Sequence, residues 1–176
     1  IEKCGGLDLV ICEIGQLGTL AFNEPGSSMN SACRMLRLSN ELRQKVSESY
    51  HCNEVPTTAI TLGLSNILSA KRIIAMAWGE SISNIVYRAV EGKLDDQVPA
   101  SALQMHHHAK LVIDLSAADE LTRISHPWKV TSCEWTDKLI RRAIVWLCGQ
   151  TGKPILKLTN KDYNDYGLSE LLAYYG

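Results

Sequence analysis

Residues 7–28, LDLVICEIGQLGTLAFNEPGSS, constrain this chain more than any other stretch. The run opens with apolar and β-branched residues, Leu7-Asp8-Leu9-Val10-Ile11-Cys12, which predict a buried strand. It ends in a turn-forming segment that holds Gly15 and Gly18. In an open α/β sheet, ligands bind beyond the carboxyl ends of strands, so this loop is where a site belongs. Glycines there let the backbone pass close to a bound group. Phe22-Asn23-Glu24-Pro25-Gly26 follows, and its Glu24 is a carboxylate able to serve as acid, base or hydrogen-bond acceptor.

The chain has 176 residues, 45% of them hydrophobic and 21% charged, enough for one well-buried globular domain. A net charge of −1 argues against nucleic acid or an anionic membrane surface as the main partner. No apolar run reaches the length of a membrane span, and no charged-then-apolar leader opens the sequence. The start at Ile1 and the end at Gly176, just after Tyr174-Tyr175, predict a piece of a longer chain. The six cysteines show no C-x-x-C spacing, and Cys12 and Cys148 sit inside apolar patterns. A reduced, cytoplasmic protein is therefore expected, with no disulfide framework and no zinc site.

Further along, 31–38 reads as extended chain, and Ser39 as the N-cap of a helix over 40–50. Arg34, Arg37, Arg43 and Lys45 make this region basic. They read either as solvated surface charges or as partners for a substrate phosphate. Val55-Pro56 breaks the chain, 57–62 reads as a strand, and 64–70 as a short helix. A charge-free strand over 73–78 precedes a helix over 80–91 that Gly92 ends. Residues 111–114 form the last strand of this region. Thr136 then caps an amphipathic helix over 137–148, 155–158 reads as a short strand, and a final helix covers 170–175. The triplet His106-His107-His108 invites a metal reading, but adjacent residues do not converge on one ion and no partner ligands stand at suitable spacing.

Residues 15–28, GQLGTLAFNEPGSS, resemble the active-site loop of the glucosamine-6-phosphate deaminase/isomerase family, G-x-G-x-D-G-H-I-A-F-N-E-P-x-S. The F-N-E-P half separates that family from its 6-phosphogluconolactonase relatives. VPTTAITLGLSNILSAKRIIAMAWG and VPASALQMH extend the likeness, which fades after Ser116-Ala117-Ala118 and Pro127-Trp128. The resemblance implies an α/β fold, three-layer α/β/α with a mainly parallel sheet, present here as a partial domain. It assigns 1–128 to the carboxyl-terminal part of that domain. Residues 129–176 remain as an extension, read as the connection to a further domain.

The implied reaction is an aldose–ketose isomerisation of an amino-sugar phosphate with hydrolytic release of ammonia, needing no cofactor and no metal. It implies Glu24 as catalytic residue, with Gly15, Gly18, Thr19 and Asn23 binding substrate. His106 falls on a family histidine and is expected to make structural hydrogen bonds. The sequence departs from the family pattern at four places. Leu17 and Thr19 replace the Asp and His of D-G-H, Glu48 a phosphate-binding arginine, and Ile82 a phosphate-binding lysine. Threonine cannot shuttle protons at neutral pH, and a carboxylate repels a phosphate dianion. The family's C2 base and phosphate loop belong to an N-terminal half outside this sequence. Three readings stand: part of such an enzyme, a degenerate sugar-phosphate-binding or scaffold module, and a lactonase-like hydrolase, the last disfavoured by F-N-E-P. Glu24 itself reads either as a working carboxylate or as an acceptor that holds the loop. Homo-oligomerisation is expected if sheet edges and apolar surface are left open.

Overall fold

The computed structural model describes residues 1–51 and 54–175 and divides into two compact units, Ile1–Glu120 and Leu121–Gly176. Cys52 lies outside the described residues; Cys4, Cys12, Cys33, Cys133 and Cys148 are free thiols. Among the described residues no helix is long and apolar enough to cross a membrane.

The first unit is built on a parallel sheet of order β1-β4-β5, with β1 at Leu9–Glu13, β4 at Arg72–Ala77 and β5 at Ala109–Ile113. This is the parallel core of a three-layer α/β/α fold, of which the chain supplies part. β4 takes the centre because it has the right composition for it: Ile73, Ala75 and Ala77 are fully buried on one face. The register puts Val10 and Cys12 beside them on β1, and Ala109, Leu111 and Ile113 on β5. α2 (Leu64–Leu68), α3 (Ser83–Val90) and the 3-10 segment Pro99–Met105 add Leu64, Ile67, Val86, Ala89 and Ala100 to the buried set.

The opposite face differs from the sequence expectation of a buried first strand. Leu9 is 44% exposed, Ile11 60% and Val112 44%, all on the side away from Ile73. An apolar run predicts a strand that can be covered on both faces; cover itself comes from other elements, and none of the described residues supplies it here.

β2 (Arg34–Arg37) and β3 (Thr58–Thr61) form a separate antiparallel pair, joined through α1 (Asn40–Tyr50). α1 begins as read: the Ser39 hydroxyl accepts from the Leu42 amide. The helix read over 80–91 starts as a 3-10 turn, Glu80–Ile82, before α3.

The second unit holds α4 (Thr122–Ser125), α5 (Asp137–Thr151), α6 (Asn160–Asp165) and α7 (Ser169–Tyr175). Ala143, Leu147, Leu168 and Leu171 form its core, packed against Trp128, Trp135, Trp146 and Tyr163. α5 runs one turn beyond its expected end and stops at Gly152 in the left-handed region. The strand expected over 155–158 is instead a 3-10 turn, Ile155–Lys157. Its apolar residues suit a strand, but Leu156 is 95% exposed and the Leu158 amide closes back on Ile155. α6 was not anticipated, although Thr159 and Asp162 make a reciprocal capping box.

Asp162 accepts from Lys153 Nζ at 2.7 and 2.9 Å and from the Thr159 amide and hydroxyl at 2.8 Å each. The Lys153 hydrogen bond, then those from Thr159, lower its pKa from 3.8 to about 2. A carboxylate depressed in this way adds stability that is complete above its unfolded value and lost as pH falls through the folded one. Acid should therefore weaken the second unit between pH 3.8 and about 2. Urea denaturation followed by tryptophan fluorescence checks this, and Lys153→Ala should flatten the pH dependence. In the same assay Leu147→Ala, at a fully buried site, should cost about 2–5 kcal/mol. Leu156→Ala should stay within about 0.5 kcal/mol.

Candidate functional site

β1 hands over to the site at Ile14, whose amide donates to the Met76 carbonyl at 2.8 Å. Residues 15–19 then close a tight loop: the Gly15 amide donates to Thr19 O at 3.0 Å and the Gly18 amide to Gly15 O at 2.8 Å. Gly18 has φ of +73°, and an added Cβ would lie 2.8 Å from Val98 Cγ1. Its carbonyl accepts from the Ala100 amide at 2.8 Å, so loop and 3-10 segment meet backbone to backbone. Thr19 is nearly buried, its hydroxyl against the position a Gly15 Cβ would take. Leu17 is half-buried in the loop. Ala21 holds φ of +52°, a left-handed conformation uncommon for a residue with a side chain.

Asn23 is fully buried. Its Nδ2 donates to Leu20 O at 3.0 Å and to Leu62 O at 2.7 Å, and its Oδ1 accepts from Arg34 Nη1 at 2.9 Å. Arg34 also reaches Ser27 Oγ at 3.2 Å. Asn23 thus locks the loop to the end of β3 and the start of β2, its carboxamide committed to protein partners. Arg34, one of the basic residues offered for a phosphate, is the donor that completes this lock.

Glu24 is half-buried, and Ser39 holds both its oxygens. Oε1 accepts from the Ser39 hydroxyl at 2.6 Å and Oε2 from the Ser39 amide at 3.2 Å. That hydroxyl in turn accepts from the Leu42 amide at 3.1 Å, so the carboxylate sits at the N-terminus of α1, where a negative charge is favoured. The sequence identified Ser39 only as a cap. Its link to Glu24 spans a turn, a strand and an extended segment, which no local signal reports.

The other candidates are elsewhere. Glu48 is exposed and accepts from Gln44 Nε2 at 3.0 Å. Ile82 is buried in the core at 4% exposure, so its position offers no charge to the site. His106 Nδ1 accepts from the His108 amide at 3.1 Å, which leaves Nε2 carrying the proton it donates to Ala70 O at 2.7 Å. Asp114, just past β5, accepts from the Gly79 amide at 3.1 Å and the Ala117 amide at 2.8 Å, tying the ends of β4 and β5. Burial raises the Cys12 thiol, so it stays protonated beside the sheet. Among the described residues no group of three or more His, Cys, Asp or Glu side chains is placed to hold a metal ion.

A glucosamine-6-phosphate deaminase-like protein of Bacteroides thetaiotaomicron is 55% identical over 177 residues, all of this chain and 27% of that protein. The chain belongs to the glucosamine-6-phosphate deaminase-like family. Its likeness to a glucosamine-6-phosphate deaminase of Halalkalibacterium halodurans is 35% identity over 122 residues, 69% of the chain and 50% of that enzyme. The corresponding enzyme of Bifidobacterium longum subsp. infantis is 40% identical over 123 residues, 69% of the chain and 46% of that enzyme. The chain therefore spans about half the length of these deaminases. In fold it is similar to a monomeric glucosamine-6-phosphate deaminase, with TM-score 0.64 and 34% identity over 67% of this chain and 49% of that one. A 6-phosphogluconolactonase from Trypanosoma cruzi shares the fold alone, at TM-score 0.52 and 18% identity. No family model matches the chain.

The lock predicts which loop residues carry stability in this family member. Asn23→Ala leaves the Leu20 and Leu62 carbonyls without their side-chain donor and should cost about 2–4 kcal/mol. Ser39→Ala, which removes a helix cap, should cost about 1 kcal/mol. Urea denaturation of the full chain measures both, and equal losses would contradict the central place given to Asn23.

Proposed function

We propose that residues 1–128 are the carboxyl-terminal part of the sugar-phosphate domain of an enzyme of amino-sugar phosphate metabolism, and that 129–176 connect it to a further domain. The reaction is the aldose–ketose isomerisation of glucosamine 6-phosphate with hydrolytic release of ammonia. The observation that carries this reading is Glu24, fixed beyond the end of the parallel sheet by both of its oxygens in the F-N-E-P loop. A carboxylate held in one orientation can accept and pass a proton with little reorganisation, which is what a proton transfer at a sugar carbon or ring oxygen needs. In this reading Gly15, Gly18 and Thr19 form the wall of the site, and Asn23 keeps that wall in place. Thr19 contributes a hydroxyl as donor or acceptor, so the proton relay has to run through Glu24 and groups outside this chain. The free thiols fit a reducing, cytoplasmic setting.

A second reading rests on Ile82 and Glu48. An apolar residue buried in the core and an exposed carboxylate stand where the resemblance places phosphate-binding cations. They support a module that keeps the fold and binds sugar ligands without turnover.

Ammonia release from glucosamine 6-phosphate by the full-length protein separates the two. The enzyme reading expects turnover that falls about 100-fold or more in Glu24→Gln. Equal turnover in the variant would remove Glu24 from the chemistry. A folded protein with no turnover would establish the binding or scaffold reading.

A further inference from the structure

The second unit carries a cavity of its own, of about 620 Å³, between α5 on one side and α6 and α7 on the other. Cavities of roughly 300–1,000 Å³ suit small organic ligands, which are held by an apolar wall and a few polar groups. Here the wall is made by Ile140 and Ile144 of α5 and Leu171 and Leu172 of α7. Asp137 and Arg141 lie on the same stripe of α5 as the two isoleucines, at i, i+3, i+4 and i+7 spacing.

The two charges are not paired with each other. An acidic residue four positions before a basic one is the favourable order for a helical ion pair. The first unit forms such a pair, Glu41–Lys45, at 3.2 Å. Asp137 and Arg141 do not: among the described residues neither forms an ion pair or a side-chain hydrogen bond. A carboxylate and a guanidinium, one helical turn apart, therefore both border an apolar cavity without being tied to a protein partner. Asn160 of α6 lines the same cavity and offers a further donor and acceptor.

We propose that this cavity binds a zwitterion of the α-amino-acid class with a large apolar side chain. The ammonium meets Asp137, the carboxylate meets Arg141, and the side chain lies against Ile140, Ile144, Leu171 and Leu172. The pair itself selects for both charges. An apolar acid would satisfy Arg141 but bring its carboxylate beside Asp137, and an apolar amine would do the reverse. A guanidinium can grip a carboxylate through two parallel hydrogen bonds, which fixes the headgroup and aims the side chain at the apolar wall. This site lies within the second unit and does not depend on the proposed deaminase reaction.

The test is an amide-resolved NMR titration of the full chain with L-phenylalanine, 3-phenylpropionate and phenethylamine. L-phenylalanine should give saturable shifts at residues 137–144 and 160–163, with each single-charge analogue binding at least about tenfold more weakly. Arg141→Gln should remove that advantage over phenethylamine, and Asp137→Asn the advantage over 3-phenylpropionate. Both positions are exposed, so the variants should melt like the wild type. No saturable shift with L-phenylalanine up to its solubility limit overturns the proposal. Binding of 3-phenylpropionate or phenethylamine as tight as that of L-phenylalanine overturns it too, and these comparisons need no variant to fold.

Discussion

The buried carboxamide of Asn23 joins three stretches of chain. It holds the Leu20 turn, the end of β3 at Leu62 and, through Arg34, the start of β2. An amide in an apolar setting is stable only when its donors and acceptor are paired, so these partners are obligatory. The left-handed turn at Ala21 and the clasp of Glu24 both depend on that lock. With Asn23 in place, the loop beyond β1 is a rigid edge of the first unit, and its carboxylate is presented in one orientation.

Glu24 shows how the fold orients a candidate carboxylate. Its two oxygens accept from Ser39 at the N-terminus of α1, which satisfies one of that helix's free amides and orients the carboxylate at the same time. The positions elsewhere that differ from the family pattern are equally informative. Ile82 is integrated into the core, and Glu48 pairs along its own helix with Gln44. Each has its own packing or hydrogen-bonding environment. The chain thus keeps the carboxylate loop of the family pattern and departs from that pattern at the two cation positions.

Much of this was legible from local pattern. The first strand, the loop with its glycines, the Ser39 and Thr136 caps and the apolar stripe of α5 all follow from propensities acting within a turn or two of chain. Elements were misread where pattern and partner disagree. Residues 155–157 carry strand-forming side chains, yet no strand lies beside them, and the backbone closes a 3-10 turn instead. β1 reads as doubly buried, yet Leu9 and Ile11 are exposed, because burial belongs to the pair of surfaces and not to the strand. α6 was missed although Thr159 and Asp162 hold the spacing of a capping box, since the short helix has almost no apolar stripe to announce it.

By itself the sequence determined the class of fold and the family likeness, and it offered a candidate loop with its carboxylate. Those depend on residue type and short spacing, which are written along the chain. Only the tertiary structure decided that Asn23 pairs with Leu62 across 39 residues, that Ser39 clasps Glu24 across 15, and that Asp137 and Arg141 face a cavity unpaired. Hydrogen bonds between distant residues form where the chain returns to itself, and that return is set by the packing of each unit, around β4 in the first and α5 in the second, not by any segment alone.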